Sequence, residues 1–396
     1  MHQPEPDVGP RVLHLTQPVD GGVARVVTDL ARAQLAAGLH VTVACPDSAL
    51  AADLRSLGAD VRRWEASRAP GPSLPAEVRR LRRVLDAARP DLVHAHSAKA
   101  GLAGRLAVRG RIPTVFQPHA WSFEAVGGAT AALALGWERF GARWADRLVC
   151  VSEAERATGE RAGITGRWTV VPNGIDPRRF HPAPVDTVRA ALLPGTDPAL
   201  PLVVCVGRLC RQKGQDVLLA AWDAVAARVP EARLALVGDG PDHDALRSRA
   251  PESVLFAGSV ADAVPWYQAA DLVVLPSRWE GMALAPLEAL ACGRPVVVTE
   301  VDGARESLPA ALASRCLVAP EDAAALATTV TELLLDPLLR ESLGHQGRRY
   351  VLSTHDVRRT AEQVAGVYRD LLGREPSAAG HPARVVPTEC RESIHS

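Results

Sequence analysis

The chain has 396 residues, 47% hydrophobic and 23% charged, with 45 Lys+Arg against 45 Asp+Glu and so a formal net charge of zero. One hydrophobic core stops growing near roughly 250–300 residues, so a chain of this length divides into two domains. Zero net charge argues against general nucleic-acid binding, which draws its affinity from a basic surplus, and no aromatic-basic repeat or finger spacing is present. The uncharged stretch 125–137 contains Gly127, Gly128 and Thr130 and falls short of the ~18 residues of a membrane-spanning helix. Residues 1–11 carry Asp and Pro without a basic-then-apolar signal, so the chain is expected to stay in the cytoplasm.

Short apolar, β-branched runs at 12–15, 40–45, 91–96, 114–119, 148–151 and 168–171 alternate with segments of helical periodicity. The scheme repeats at 202–206, 234–237, 254–257, 271–275 and 295–299. Apolar strands between helices form parallel sheets covered on both faces, so the fold class is α/β, with two doubly wound, Rossmann-like domains. The expected division is an N-terminal extension 1–11, a first domain 12–182, a linker 183–201, a second domain 202–354, a terminal helix 355–372 and a disordered tail 373–396. The linker rests on six prolines between 177 and 201 with one short helical stretch, 187–193. The tail mixes Pro, Gly, Ser and charges without periodicity. Seven cysteines show neither metal nor disulfide spacing, and most fall in strand-like runs as small buried hydrophobes. Lysine occurs only at Lys99 and Lys213, both beside strand ends, where a compact ammonium is wanted in a chain that otherwise uses arginine.

Doubly wound sheets bind ligands beyond the carboxyl ends of their strands, so the loops there hold the candidates. Gly21-Gly22 open the first helix, where backbone N–H groups and the dipole favour an anion, although a tight strand-to-helix turn also uses such a pair. The pair is not a G-x-G-x-x-G fingerprint. His94 and His96 share one face of a strand, but no third metal ligand is near in sequence. Lys99 lies in the first turn of the following helix, where it meets either a phosphate or solvent. His119, at the next strand end and followed by Trp121, suits hydrogen bonding to a sugar hydroxyl with ring stacking nearby.

In the second half, Gly207 permits close backbone approach, and Arg208 and Lys213 place two cations around one turn. A diphosphate needs such neutralisation, above all as a leaving group. Gly238 begins the turn Gly238-Asp239-Gly240-Pro241, and the following Asp242-His243-Asp244 reads as a helix start rather than a metal site, so no metal is expected. Gly258 and Val260 follow the next strand, where backbone groups can read a base edge. Glu280 and Glu288 lie eight apart, about two helical turns, and so face one cleft wall. Glu288 sits among Leu287, Ala289, Leu290 and Ala291 and wants a partner, such as a ribose diol. The N–H groups of Met282, Ala283 and Leu284 open a helix toward a phosphate.

Gly207-Arg208 with Lys213-Gly214, and Glu280 with Glu288, resemble the retaining nucleotide-sugar glycosyltransferases of family 4, which have the GT-B fold of two Rossmann-like domains facing across a cleft. Gly21-Gly22, Val171-Pro172-Asn173-Gly174-Ile175-Asp176 and Gly238-Asp239-Gly240-Pro241 extend the resemblance over residues 12–372. It implies sugar transfer with retention from a nucleotide-diphosphate sugar as co-substrate, with no metal or other cofactor. Carried over, Arg208 and Lys213 hold the donor diphosphate, Glu288 the ribose, Glu280 the donor sugar and His119 a sugar hydroxyl near the reacting carbon. The last helix crosses back onto the first domain. Gly281-Met282-Ala283 departs from the commoner Gly-Phe-Gly, Ala283 keeping the backbone donor but narrowing the space.

A less specific similarity, of His96-Ser97-Ala98-Lys99-Ala100-Gly101, is to members that build polysaccharides on lipid carriers. It implies a sugar or lipid-linked acceptor in cell-envelope glycan synthesis and peripheral contact with the inner membrane face. The helix 77–88, with Arg79, Arg80, Arg82 and Arg83 opposite Val78, Leu81 and Leu85, fits such a surface, as do Trp137, Phe140 and Trp144 at helical spacing. Solvated arginines and core aromatics explain the same pattern. An epimerase or phosphorylase on the same fold, and a non-catalytic partner-binding subunit, stay open as alternatives.

Overall fold

The structure, a computed structural model, describes residues 9–68, 70–195 and 197–373; the tail from 374 on, with Cys390, lies outside the described residues. The first sheet holds β1 (Arg11–Thr16), β2 (His40–Cys45), β3 (Asp60–Arg63), β4 (Leu92–His96), β5 (Thr114–Gln117), β6 (Arg147–Cys150) and β7 (Trp168–Val170), in the order β3-β2-β1-β4-β5-β6-β7. The second holds β8 (Leu202–Val206), β9 (Arg233–Val237), β10 (Val254–Gly258), β11 (Leu272–Leu275), β12 (Val296–Thr299) and β13 (Leu317–Val318), in the order β10-β9-β8-β11-β12-β13. All pairings are parallel. Strand order reverses between β1 and β4 and between β8 and β11, and crevices for ligands open at such switch points.

The central strands are apolar because helices cover both faces: every residue of β4, β11 and β12 is buried. β3 and β13 carry no such run. β3 is an edge strand, DVRR, largely exposed, and β13 has only two residues, too few to show a period. The six described cysteines are all buried, in keeping with their small apolar role. Among the described residues no helix is long and apolar enough to cross a membrane.

The two sheets are joined by more than chain connectivity. One apolar cluster runs from Val26 and Leu30 of the helix Gly21–Ala36 through Ile175 and Phe180 into the second sheet. The proline-rich segment 183–201 is fastened down rather than free. Its helix Val185–Leu192 buries Arg189, which donates from Nε to the Ala269 carbonyl at 2.7 Å and from Nη2 to Asp271 Oδ2 at 2.6 Å. The short helical stretch expected in this segment is the helix Val185–Leu192, and its buried arginine binds the segment to the second domain. The last helix, Val357–Leu372, packs on Gly21–Ala36 in the first domain. Thr360 Oγ1 donates to the Pro172 carbonyl at 2.9 Å, and a Cβ on Gly174 would lie 2.7 Å from the Val357 backbone, so only glycine fits this crossing.

Candidate active site

At the end of β8 the chain turns at Gly207, whose N–H donates to the Val237 carbonyl at 2.9 Å. Gly238, at φ 141°, donates to the Gly258 carbonyl at 2.8 Å, and a Cβ on it would lie 2.2 Å from the Gly207 oxygen. The three glycines therefore stitch the ends of β8, β9 and β10 into one floor, and the N–H groups of Gly207 and Gly238 serve the floor itself. Val260, just beyond β10, is half-buried and packs on the core of the second domain.

Lys213 lies in the short turn Arg211–Lys213 with its stem over Gly207, where an added Cβ would sit 3.6 Å from Lys213 Cδ. Its Nζ is 2.6 Å from Glu280 Oε1, an oxygen that also accepts from Ser277 Oγ at 2.7 Å. Arg208 is half-buried, its carbonyl accepting from Gln215 Nε2 at 3.1 Å.

Glu280 and Glu288 do not share a helix face. The helix is Leu284–Ala291, so Glu280 belongs to the loop after β11 and the two-turn spacing does not apply to it. Glu288 instead accepts from the Tyr267 hydroxyl at 2.7 Å. Burial pushes its carboxyl up, and the Arg25 guanidinium opposes that shift. Glu288 lines a pocket between the domains with Arg25, Asp29, Arg179 and Leu284.

No sequence motif marks Arg25 or Arg179. The available signal was the position of Arg25, one turn into the helix that Gly21-Gly22 open. The sequence does not mark Arg68 either, because the strand before its loop, DVRR, has no apolar run. Partial desolvation first, and then the nearby Arg208 guanidinium, disfavour the Arg68 charge.

Two helix starts converge in the cleft. Gly21–Ala36 follows Asp20 and Leu284–Ala291 follows Ala283, and neither has a side-chain cap. A Cβ on Gly22 would lie 3.7 Å from Leu284 Cδ1, so the first helix start abuts the second. Uncapped N–H groups and two dipoles of the same sense favour an anion there. Met282 and Ala283 precede the helix rather than opening it, and the Met282 carbonyl accepts from Asn173 Nδ2 at 2.7 Å. Ser152 Oγ donates to the Gly281 carbonyl at 2.7 Å, so loops of the first domain already hold this loop of the second.

His119 and Ala120 have φ of 56° and 100°. Such backbone costs about 1–3 kcal/mol per residue and persists where the surroundings enforce it. Here the Ala120 N–H donates to Glu155 Oε1 at 2.6 Å, while Glu155 Oε2 accepts from the Val151 N–H at 2.7 Å. Burial lowers His119 to about 3, which keeps the imidazole neutral, and raises Glu155 to about 7.

Several expected contacts are not formed. Trp121 offers no face to a sugar: it is 1% exposed, donates from Nε1 to the Glu155 carbonyl at 2.8 Å and packs on Phe123 and Trp168. Lys99 is 3% exposed with Nζ 2.6 Å from Glu77 Oε2, so its charge is met inside the first domain and not by a phosphate. Asp242 precedes the helix His243–Arg247 without making a side-chain cap bond, and Asp244 pairs with His243. The third imidazole beside His94 and His96 is His14, which the β1–β4 pairing brings within 4.8 Å of both.

Known proteins carry the same organisation. Residues 20–179 match the model described as Glycosyltransferase Family 4, and residues 200–336 the model described as Glycosyl transferases group 1. The chain is 32% identical over 254 residues to the lipopolysaccharide core biosynthesis mannosyltransferase LpsB of Rhizobium meliloti, covering 60% of this chain and 69% of that one. It is 32% identical over 316 residues to the D-inositol 3-phosphate glycosyltransferase of Actinosynnema mirum, covering 71% and 74%. HepE of Anabaena, solved in complex with UDP and glucose, shares the fold with a TM-score of 0.77 at 24% identity, over 91% of this chain and 99% of that one. Family models across both sheets, and relatives matched over more than two thirds of their length, establish that the chain belongs to glycosyltransferase family 4 and is a glycosyltransferase of GT-B fold.

Proposed function

We propose that the chain transfers a sugar from a nucleotide-diphosphate sugar, with retention of configuration and without a metal ion, to a sugar or lipid-linked acceptor of the cell envelope. The observation that carries this reading is the meeting of two uncapped helix starts in a cleft that also holds Arg208 and Lys213. Fixed dipoles and cations of this kind stabilise the charge that grows on a departing diphosphate. In this reading Arg208, Lys213 and the start of Leu284–Ala291 hold the diphosphate. Glu288, oriented by Tyr267, accepts from the ribose hydroxyls. Glu280 positions the donor sugar, and His119 meets one of its hydroxyls. The diphosphate departs from the face that the acceptor enters, and closure of the domains on one another excludes water.

Slow hydrolysis of the donor without acceptor tests both finer points. Followed by NMR, an α-linked nucleotide sugar is expected to release the α-sugar first, at a rate unchanged by EDTA. The β-sugar appearing first would contradict retention, and loss of the reaction in EDTA would contradict metal independence.

LpsB acts in lipopolysaccharide core biosynthesis by its name, and a surface of this chain suits a membrane-borne acceptor. The helix Gly128–Gly141 exposes Leu133 at 76% and Phe140 at 44%, beside Arg139 and Arg143. The helix Leu74–Ala88 turns Arg79, Arg80, Arg82 and Arg83 to solvent, while Val78, Leu81 and Leu85 are buried in the core, so that helix offers charge and no apolar face. Exposed apolar side chains rimmed by arginine fit an anionic bilayer surface. The protein is expected to pellet with anionic vesicles at low salt, and the Leu133→Asp/Phe140→Asp variant to stay in the supernatant. Equal recovery of the wild type with and without vesicles would count against the contact.

A further inference from the structure

We propose that Gln34 sets the tautomer of His119 through two intervening imidazoles, His14 and His96, so that the His119 ring offers Nδ1 as a hydrogen-bond acceptor. Its kinetic consequence rests on the reading of His119 as a contact to the donor sugar; the relay itself does not.

The relay follows from strand register. His14 on β1 pairs with His94 on β4, and His96, two residues on, shares that face. Gln117 on β5 lies opposite His96. Gln34 reaches the same face from the helix Gly21–Ala36, and Tyr368 from Val357–Leu372. Gln34 Oε1 is 2.7 Å from His14 Nε2, His14 Nδ1 is 2.9 Å from His96 Nε2, and His96 Nδ1 is 3.1 Å from His119 Nε2. A side branch runs from Gln34 Nε2 to the Tyr368 hydroxyl at 3.3 Å and from that hydroxyl to His94 Nδ1 at 2.7 Å.

Each neutral imidazole has one N–H and one lone pair. Burial holds His14 at about 4 and His119 at about 3, and keeps His94 and His96 well below the usual histidine range. Neutral rings in series must therefore all point the same way, and fixing one end fixes the other. The fixed end is the Tyr368 hydroxyl, which lies 3.3 Å from Gln34 Nε2 and 2.7 Å from His94 Nδ1. With the Gln34 amide donating to its oxygen, the Tyr368 hydroxyl has its own proton to give to His94 Nδ1. Gln34 then presents its oxygen to His14 Nε2–H. His14 Nδ1 accepts from His96 Nε2–H, His96 Nδ1 accepts from His119 Nε2–H, and the His119 lone pair is left at Nδ1. A cation bound by His14, His94 and His96 would need the lone pairs of both His14 and His96 turned to it, and their hydrogen bond would break.

The test is NMR of the full-length protein labelled with ¹⁵N-histidine, in which long-range N–H correlations separate the two tautomers. Without any ligand, His14, His96 and His119 are expected in the Nε2–H form, and the Gln34→Glu variant, which keeps an acceptor oxygen, is expected to retain it. In Gln34→Leu the His119 signals are expected to report a mixture of tautomers. His119 carrying Nδ1–H or a mixture in the wild type overturns the proposal, and that spectrum decides it even if Gln34→Leu fails to fold. His119 fixed as Nε2–H in a folded Gln34→Leu variant overturns it too. So does capture of one equivalent of added Zn²⁺ that His94→Ala abolishes. Turnover at saturating donor is expected to fall roughly tenfold in Gln34→Leu, the factor set by about 1.4 kcal/mol of misdirected hydrogen bonding. A tautomer that changes with no change in turnover leaves the relay standing and removes the sugar contact of His119.

Discussion

Replacing Lys213 by alanine is expected to lower turnover at saturating donor by about 10²–10³-fold, the loss that follows removal of one preorganised partner of a developing charge. Lys213 is placed for that role by its stem over Gly207 and by Glu280, whose Oε1 lies 2.6 Å from Nζ. In the proposed role, the carboxylate would hold the ammonium in place before the donor enters and leave little reorganisation for the reaction. The same substitution leaves Glu280, 8% exposed, with Ser277 as its side-chain hydrogen-bond partner. A buried carboxylate deprived of its cation destabilises the fold, whereas removing both charges is far less costly. Lys213→Met/Glu280→Gln is therefore expected to unfold at a higher urea concentration than Lys213→Ala while staying equally inactive. Near wild-type turnover in Lys213→Ala would remove the lysine from the chemistry.

The largest loss of stability is expected far from the cleft, from Arg105→Ala. Arg105 and Glu138 are buried together, with Nη2 2.7 Å from Oε2. The guanidinium also donates from Nε to the Gly101 carbonyl at 2.8 Å and lies 3.9 Å from the Phe116 ring centre, while Glu138 Oε1 accepts from Ser122 Oγ at 2.9 Å. Truncation leaves a carboxylate without its counter-ion inside the first domain, which costs about 3–5 kcal/mol. The urea midpoint of the first domain checks this, and Arg105→Met/Glu138→Leu is expected to recover most of the loss. A shift below about 1 kcal/mol would show that the pair is solvated, as a surface ion pair is.

The strands of both sheets were legible because burial on two faces demands unbroken apolar runs, as in β11 and β12. The edge strand β3 was not, since an exposed edge tolerates DVRR. The scarcity of lysine carried real information about where a compact ammonium is wanted. Both Lys99 and Lys213 lie 2.6 Å from a glutamate, where a compact ammonium is the better fit. Sequence spacing placed Lys99 at a helix start and gave no view of Glu77, which reaches it from a neighbouring helix.

The Glu280–Glu288 spacing misled for a related reason: eight residues span two turns only where the helix is continuous, and this helix begins at Leu284. His14 stands eighty-two residues before His96 in the sequence and meets it only through sheet register. Arg25, Arg68 and Arg179 likewise join the cleft through tertiary packing, which no local pattern in the sequence records.

The central claim, that the cleft between the domains binds a nucleoside diphosphate, is tested most directly by thermal unfolding with UDP, GDP and ADP. At about 100 times its dissociation constant, one of them is expected to add roughly 2.7 kcal/mol to the wild type and raise its Tm by a few degrees, and to leave Arg208→Ala unshifted. No shift with any nucleotide, or an equal shift in Arg208→Ala, would contradict it.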